Sequence, residues 1–281
     1  MVKLIEYIPR ELLDDITSGE CLPVVGAGFS RNAILPPECQ MPLWNDLGAR
    51  FAKLLGAAFS GKPTDSLSCY CDQRGKLELA RILRKCLYIN TAKPGSLHTR
   101  FAQLPFKHVL TTNFDFLLEQ AYGIAGKPYI PVVDQELLGF GQSDGETRLV
   151  KMHGDLHHPS LMVVTEEDYD KFRDNREAMF FEVAHLLSCH SVLFVGYSID
   201  DPDFRQVWRL VDKHLKGLRR PSYALLVGAT VDEADTYRRR GINTVISLPG
   251  TKKTYGRVLS EAFRQIGDAI SRTPFGRTDH G

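Results

Sequence analysis

A chain of 281 residues, 43% hydrophobic and 25% charged, matches ordinary globular usage and can bury one large core, which excludes disordered and fibrous architectures. The 35 Lys and Arg against 34 Asp and Glu leave a formal charge of +1, so no global field draws the chain to nucleic acid or an acidic membrane surface, and nucleic-acid contact is expected only indirectly. No run approaches the ~20 apolar residues of a membrane span. Acids interrupt the N-terminal segment MVKLIEYIPRELLDDITSGE, and the six cysteines form no CxxC pair, so a cytoplasmic protein without bound zinc is the expectation.

Leu22–Val25 is the first short apolar run and reads as a strand. From about residue 33 to 107 the pattern is helical. Leu43, Leu47, Phe51, Leu54 and Leu55 line one face, and KLELARILRKCL repeats the spacing through Leu79, Ile82, Leu83 and Leu87. This stretch reads as an insertion packed beside a sheet. Strands follow at His108–Thr112, Tyr129–Val133 and Arg148–Met152. Thr165, with Glu166, Glu167 and Asp168 behind it, is an N-cap followed by acids, and it predicts a helix running toward Leu187. Ser191–Gly196, Tyr223–Val227 and Thr244–Leu248 read as the remaining strands. Further helical faces run through Val207, Leu210, Val211 and Leu215, then Val258, Ala262, Ile266 and Ile270. Continuous apolar strands are covered on both faces. Their alternation with helices predicts an α/β fold, a doubly wound, mostly parallel Rossmann-like sheet with a helical insertion. One domain spans 1–271, and 272–281 reads as a flexible tail.

Four polar clusters each follow a predicted strand, and in an open parallel sheet ligands bind at the carboxyl ends of the strands. In Gly26-Ala27-Gly28-Phe29-Ser30 two glycines allow a sharp turn and close approach to a phosphate, although Arg31 stands where a full dinucleotide fingerprint has its third glycine. A structural turn satisfies the same pattern. Asn113 can hold a water and a ribose hydroxyl at once, and Asp115 either supports that geometry or caps the following helix. His153, beside Gly154, suits a general base for a water or a sugar hydroxyl. In Gly196-Tyr197-Ser198 a Gly-x-Ser turn can hydrogen-bond phosphates or ribose, and Asp200 or Asp201 can hold ribose hydroxyls, with helix capping as the equally good reading of the acids.

GAGFS, TTNFD, MHGD and VGYS, in that order, resemble the signature of the sirtuins, in which such segments surround NAD. Position by position, the resemblance implies Gly26, Ala27, Gly28, Phe29 and Ser30 as a pyrophosphate loop. It implies Asn113 and Asp115 around the nicotinamide ribose and attacking water, His153 as base, and Gly196, Tyr197, Ser198 and Asp200 as part of the cofactor wall. RNAILPP replaces the GIPxFR element of deacetylases, Thr112 stands for their Gln, and their paired CxxC zinc module is missing. The likeness is therefore to bacterial antiphage sirtuin-like domains that act with HerA-type ATPases, with short Argonautes or in Thoeris. It implies an NAD+ hydrolase releasing nicotinamide and ADP-ribose, held in a homo-oligomer or by a partner ATPase. A protein deacylase or ADP-ribosyltransferase, a non-catalytic NAD or ADP-ribose sensor, and a metallophosphoesterase using His153, Asp155 and His157 on one extended face are the competing readings.

Overall fold

The computed structural model describes residues 2–139, 143, 145–199, 202–215 and 218–272. Asp200, Asp201 and most of the expected tail lie outside them. After helix α1 (Arg10–Ser18) come strand β1 (Cys21–Val25) and the short α2 (Ala27–Ser30). Helices α3 (Trp44–Leu54), α4 (Pro63–Arg74), α5 (Lys76–Cys86) and α6 (Ser96–Ala102) precede β2 (His108–Thr111), α7 (Leu117–Ala125), β3 (Tyr129–Val132) and β4 (Thr147–Lys151). Next are α8 (Glu166–Asp170), α9 (Phe172–Asn175), α10 (Glu177–Cys189), β5 (Ser191–Val195) and α11 (Pro202–Leu215). The chain continues through β6 (Ser222–Val227), α12 (Val231–Arg239), β7 (Thr244–Leu248) and α13 (Tyr255–Arg272).

The strands form one sheet in the order β3-β4-β2-β1-β5-β6-β7, with every pairing parallel. All seven expected strands are present. Two prolines are accommodated as their missing N–H requires. Pro131 lies on edge strand β3, and the β1–β2 ladder begins at Val24, one residue past Pro23.

Each central strand feeds two cores because side chains alternate across a sheet. Val25, Leu193 and Val195 pack with Leu12, Phe101 and Phe263 from α1, α6 and α13. Leu22, Val24, Val192 and Phe194 pack with Phe180, Val183, Phe204 and Val207 from α10 and α11. That is why these strands read as continuous apolar runs.

The helical stretch divides into two parts. α6 joins the first of these layers through Leu97 and Phe101. Helices α3 to α5 enclose a third core of Leu47, Phe51, Leu67, Leu79 and Leu83, closed by Phe114 and Leu117 after β2 and by Leu156, Met162 and Val164 after β4. The insertion thus sits on the carboxyl ends of β2 and β4.

The helix expected from Thr165 toward Leu187 is corrected. Thr165 is the N-cap, its hydroxyl accepting from the Asp168 N–H, but the chain breaks into α8, α9 and α10. At the second break Arg176 turns its buried guanidinium to the carbonyls of Met152, Leu161 and Val133. Those tertiary bonds override the local helical pattern.

Candidate functional site

The sheet register aligns the four clusters. Val195, Val25, Thr111 and Lys151 are partners in one row across β5, β1, β2 and β4. Gly196 and Gly26 stand one residue past that row, and Asn113 and His153 two past it. β1 is also the strand from which β2 and β5 depart to opposite sides, the place where open α/β sheets open a ligand crevice.

The turn after β1 leans on the turn after β5. Gly26 N–H donates to the Val195 carbonyl (3.1 Å) and Gly28 N–H to the Gly196 carbonyl (3.0 Å). A Cβ on Gly26 would lie 2.5 Å from the Gly196 oxygen, and one on Gly196, at φ +62°, would lie 2.3 Å from Phe29 N. The glycines therefore serve this backbone contact first. The sequence reading brings this turn close to a phosphate; in the structure the Gly28 amide is bonded to Gly196.

Four expected residues are brought together, three through their side chains and Gly26 through its carbonyl. The Asn113 side-chain N–H group donates to the Gly26 carbonyl (3.0 Å) and to Ser30 Oγ (3.0 Å), and the Ser30 hydroxyl donates to Asp115 Oδ2 (2.7 Å). The Gly26 carbonyl can only accept, so it fixes which end of the amide is nitrogen. Both amide hydrogens are thereby used. Among the described residues Asn113 Oδ1 has no partner, which leaves an acceptor to meet a ligand. Asp115, 7% exposed, also accepts the Leu117 N–H on Oδ1 (3.1 Å), so the carboxylate meets a free amide at the start of α7, close to the helix-end role that its alternative reading gave it. Thr111, a residue the sequence reading passes over, fixes the base of the turn. Its hydroxyl donates to the Val25 carbonyl (2.8 Å) and accepts from Asn113 N–H (3.1 Å).

His153 is 2% exposed, with Tyr169 of α8 and Phe172 of α9 edge-on to its ring at 5.3 and 6.1 Å between centroids. A second imidazole, His98 of α6, lies wholly buried behind the turn after β1, 4.8 Å from the Phe29 ring. Its Nδ1 accepts the Gly95 N–H (3.1 Å), and burial pulls its pKa down to about 4 while the Asp115 carboxylate opposes that shift.

Other expected residues contribute less than their side chains promise. The Phe29 ring packs on His98 and Phe101, and the Tyr197 ring on Phe194 and Phe204, so both rings belong to the core. Ser198 is exposed, and its carbonyl accepts from Arg240. The one-face alternation of His153, Asp155 and His157 is corrected. The segment turns after β4, with Asp155 Oδ1 accepting the backbone N–H of His157 (2.9 Å) and of His158 (3.1 Å), while His157 stacks on Phe116 at 4.0 Å. A cavity of about 1080 Å³ between the residues after β7, the start of α13 and Asn32 contains none of the expected site residues. Asn32 joins it to the site through its bonds to the Gly28 and Phe29 carbonyls.

Residues 107–245 match the family described as a SIR2-like domain. The chain is 31% identical over 131 residues to an NAD(+) hydrolase ThsA from Enterococcus faecium, which is 46% of this chain and 27% of that protein. To a ThsA from Cytobacillus dafuensis it is 30% identical over 149 residues, 52% and 30% of the two chains. To defense-associated sirtuin 2 of Bacillus subtilis it is 21% identical over 248 residues, 84% of this chain and 24% of that one. The matched segments thus span less than a third of each relative. The SIR2-like match begins just before β2 and so takes in Asn113, Asp115, His153 and the turn after β5.

Proposed function

We propose that this SIR2-like chain is an NAD+ glycohydrolase that releases nicotinamide and ADP-ribose, and that it depletes NAD in defence against phage. The observation that carries the reading is the locked Asn113–Ser30–Asp115 relay at the switch point of the sheet, in a row with His153. The ThsA likeness supports it.

Nicotinamide departs as a neutral base from the ribose C1′, leaving an oxocarbenium-like sugar. Asn113 Oδ1 accepts one hydrogen of a water, aiming a lone pair at C1′. The C–O bond forms as His153 takes the second proton, so NAD+ and water give nicotinamide, ADP-ribose and a proton. Asp115 acts through Ser30, keeping the amide oriented and adding negative charge near the developing cation. Tyr169 and Phe172 cover His153, so turnover requires the α8–α9 segment to part from it. The cavity beyond Asn32 offers room for the far half of the dinucleotide.

The whole described chain acts as one catalytic domain in this reading. Restraint by homo-oligomerisation or by a HerA-type ATPase or other defence partner, in the cytoplasm, follows from the family likeness. Asn113→Ala and His153→Ala are expected to lower nicotinamide release from NAD by about 10²–10⁴-fold while the far-UV spectrum stays that of the wild type. Folded variants that release nicotinamide at the wild-type rate would refute these roles.

A further inference from the structure

We propose that Lys151 is a positioning residue of this site: its ammonium holds the Asn113–Asp115 turn against the strand end that presents His153, keeping the water-orienting amide and the base in register. The inference rests on the hydrolase reading of those two residues.

Lys151 closes β4, two residues before His153, and is 1% exposed. Its Nζ donates to the Asp115 carbonyl (2.6 Å) and to Glu119 Oε1 (2.6 Å), and it lies 4.7 Å from the centroid of the Phe116 ring. The three groups surrounding the ammonium belong to the turn after β2 and the start of α7. Beyond the row Thr111–Lys151 the two chains separate, one into α7 and the other into the loop toward α8. The backbone rung there is Met152 N–H to the Thr111 carbonyl (2.9 Å). Past it, the ammonium continues the connection as a charge-assisted bond to a site residue.

Stability alone does not account for this lysine. Taking a cation and a carboxylate out of water is expensive, and replacing such a buried pair by apolar groups of similar volume is often neutral or stabilising. The burial that raises the pKa of Glu119 shows the same cost from the acid's side, with Lys151 pulling it back down. A Leu or Met at 151 would suit the apolar strand, yet it could not bond the Asp115 carbonyl. Small displacements suffice to matter, because a shift of about 1 Å in a reacting group can cost on the order of 10²-fold in rate.

The test is the paired variant Lys151→Met/Glu119→Leu, which leaves no unpaired charge. Wild type and variant are compared for thermal midpoint, for kcat and KM of nicotinamide release, and for ADP-ribose binding by calorimetry. The expected result is a folded variant with kcat lowered about 10²-fold, and with KM and ADP-ribose affinity within about threefold of wild type. Lys151→Arg keeps the charge and its donors, and is expected to recover at least about a tenth of the wild-type kcat. It also serves as the reading should the paired variant not fold. An active wild type with an equally active paired variant overturns this inference alone, as does a folded Lys151→Arg with only about a hundredth of the wild-type kcat. A wild type that releases no nicotinamide overturns the hydrolase reading and this inference with it.

Discussion

At the residue scale the site is a relay whose donors and acceptors are already assigned. Ser30 is its middle member, accepting from Asn113 and donating to the buried Asp115. Ser30→Ala leaves a carboxylate oxygen short of a donor, so a stability loss of about 1–3 kcal/mol is expected in urea titration, together with slower turnover as Asn113 loses an acceptor. Unchanged stability and rate would contradict the relay. His98 sets a pH dependence. Its pKa is pulled from about 6.5 to about 4 in the folded chain, so below pH 6.5 the unfolded chain takes up a proton that the folded one refuses. Stability is therefore full above about pH 6.5 and is lost as pH falls toward 4. His108, also pulled down to about 4, adds to the loss. His98→Asn retains an acceptor for the Gly95 N–H and is expected to flatten part of that acid slope. An identical slope would exclude His98 as a source.

At the scale of elements the outcome turns on which local pattern meets a tertiary demand. The strands were legible because burial on both faces writes a continuous apolar run, and the Thr165 cap because its acids sit in the first turn. The break at Arg176 was not legible. No local residue forbids a helix there, and the guanidinium is claimed by three carbonyls distant in sequence. One of those is Met152, next to His153. Arg176→Met is expected to cost roughly 3–5 kcal/mol by leaving buried carbonyls without their charged donor, and to lower kcat by loosening the His153 turn. Denaturant titration and turnover on the folded fraction would show it; a loss under 1 kcal/mol with full activity would remove Arg176 from the account. The α8–α9 cover over His153 was likewise hidden, because it depends on the chain turning back over the loop after β4 and not on any local spacing of Tyr169 and Phe172.

At the scale of the whole molecule, one parallel sheet delivers four separated segments to one edge. The sequence showed that convergence because Asn113 and His153 each closely follow an apolar strand, and glycines follow two others. It did not show that the Phe29 and Tyr197 rings enter the core, nor the role of Lys151, although a lysine inside the run RLVKM is a visible signal of a buried charge with a fixed partner. A ligand that binds only the folded chain raises its stability, so ADP-ribose at 100 times its dissociation constant is expected to add about 2.7 kcal/mol. The most direct measurement is a mass balance: purified chain incubated with NAD+, alone and with an acyl-lysine peptide, with nicotinamide and ADP-ribose quantified by chromatography. The hydrolase account predicts equimolar nicotinamide and ADP-ribose without peptide, lost in His153→Ala. Nicotinamide release that depends on the peptide, or NAD+ bound yet left intact, would contradict it.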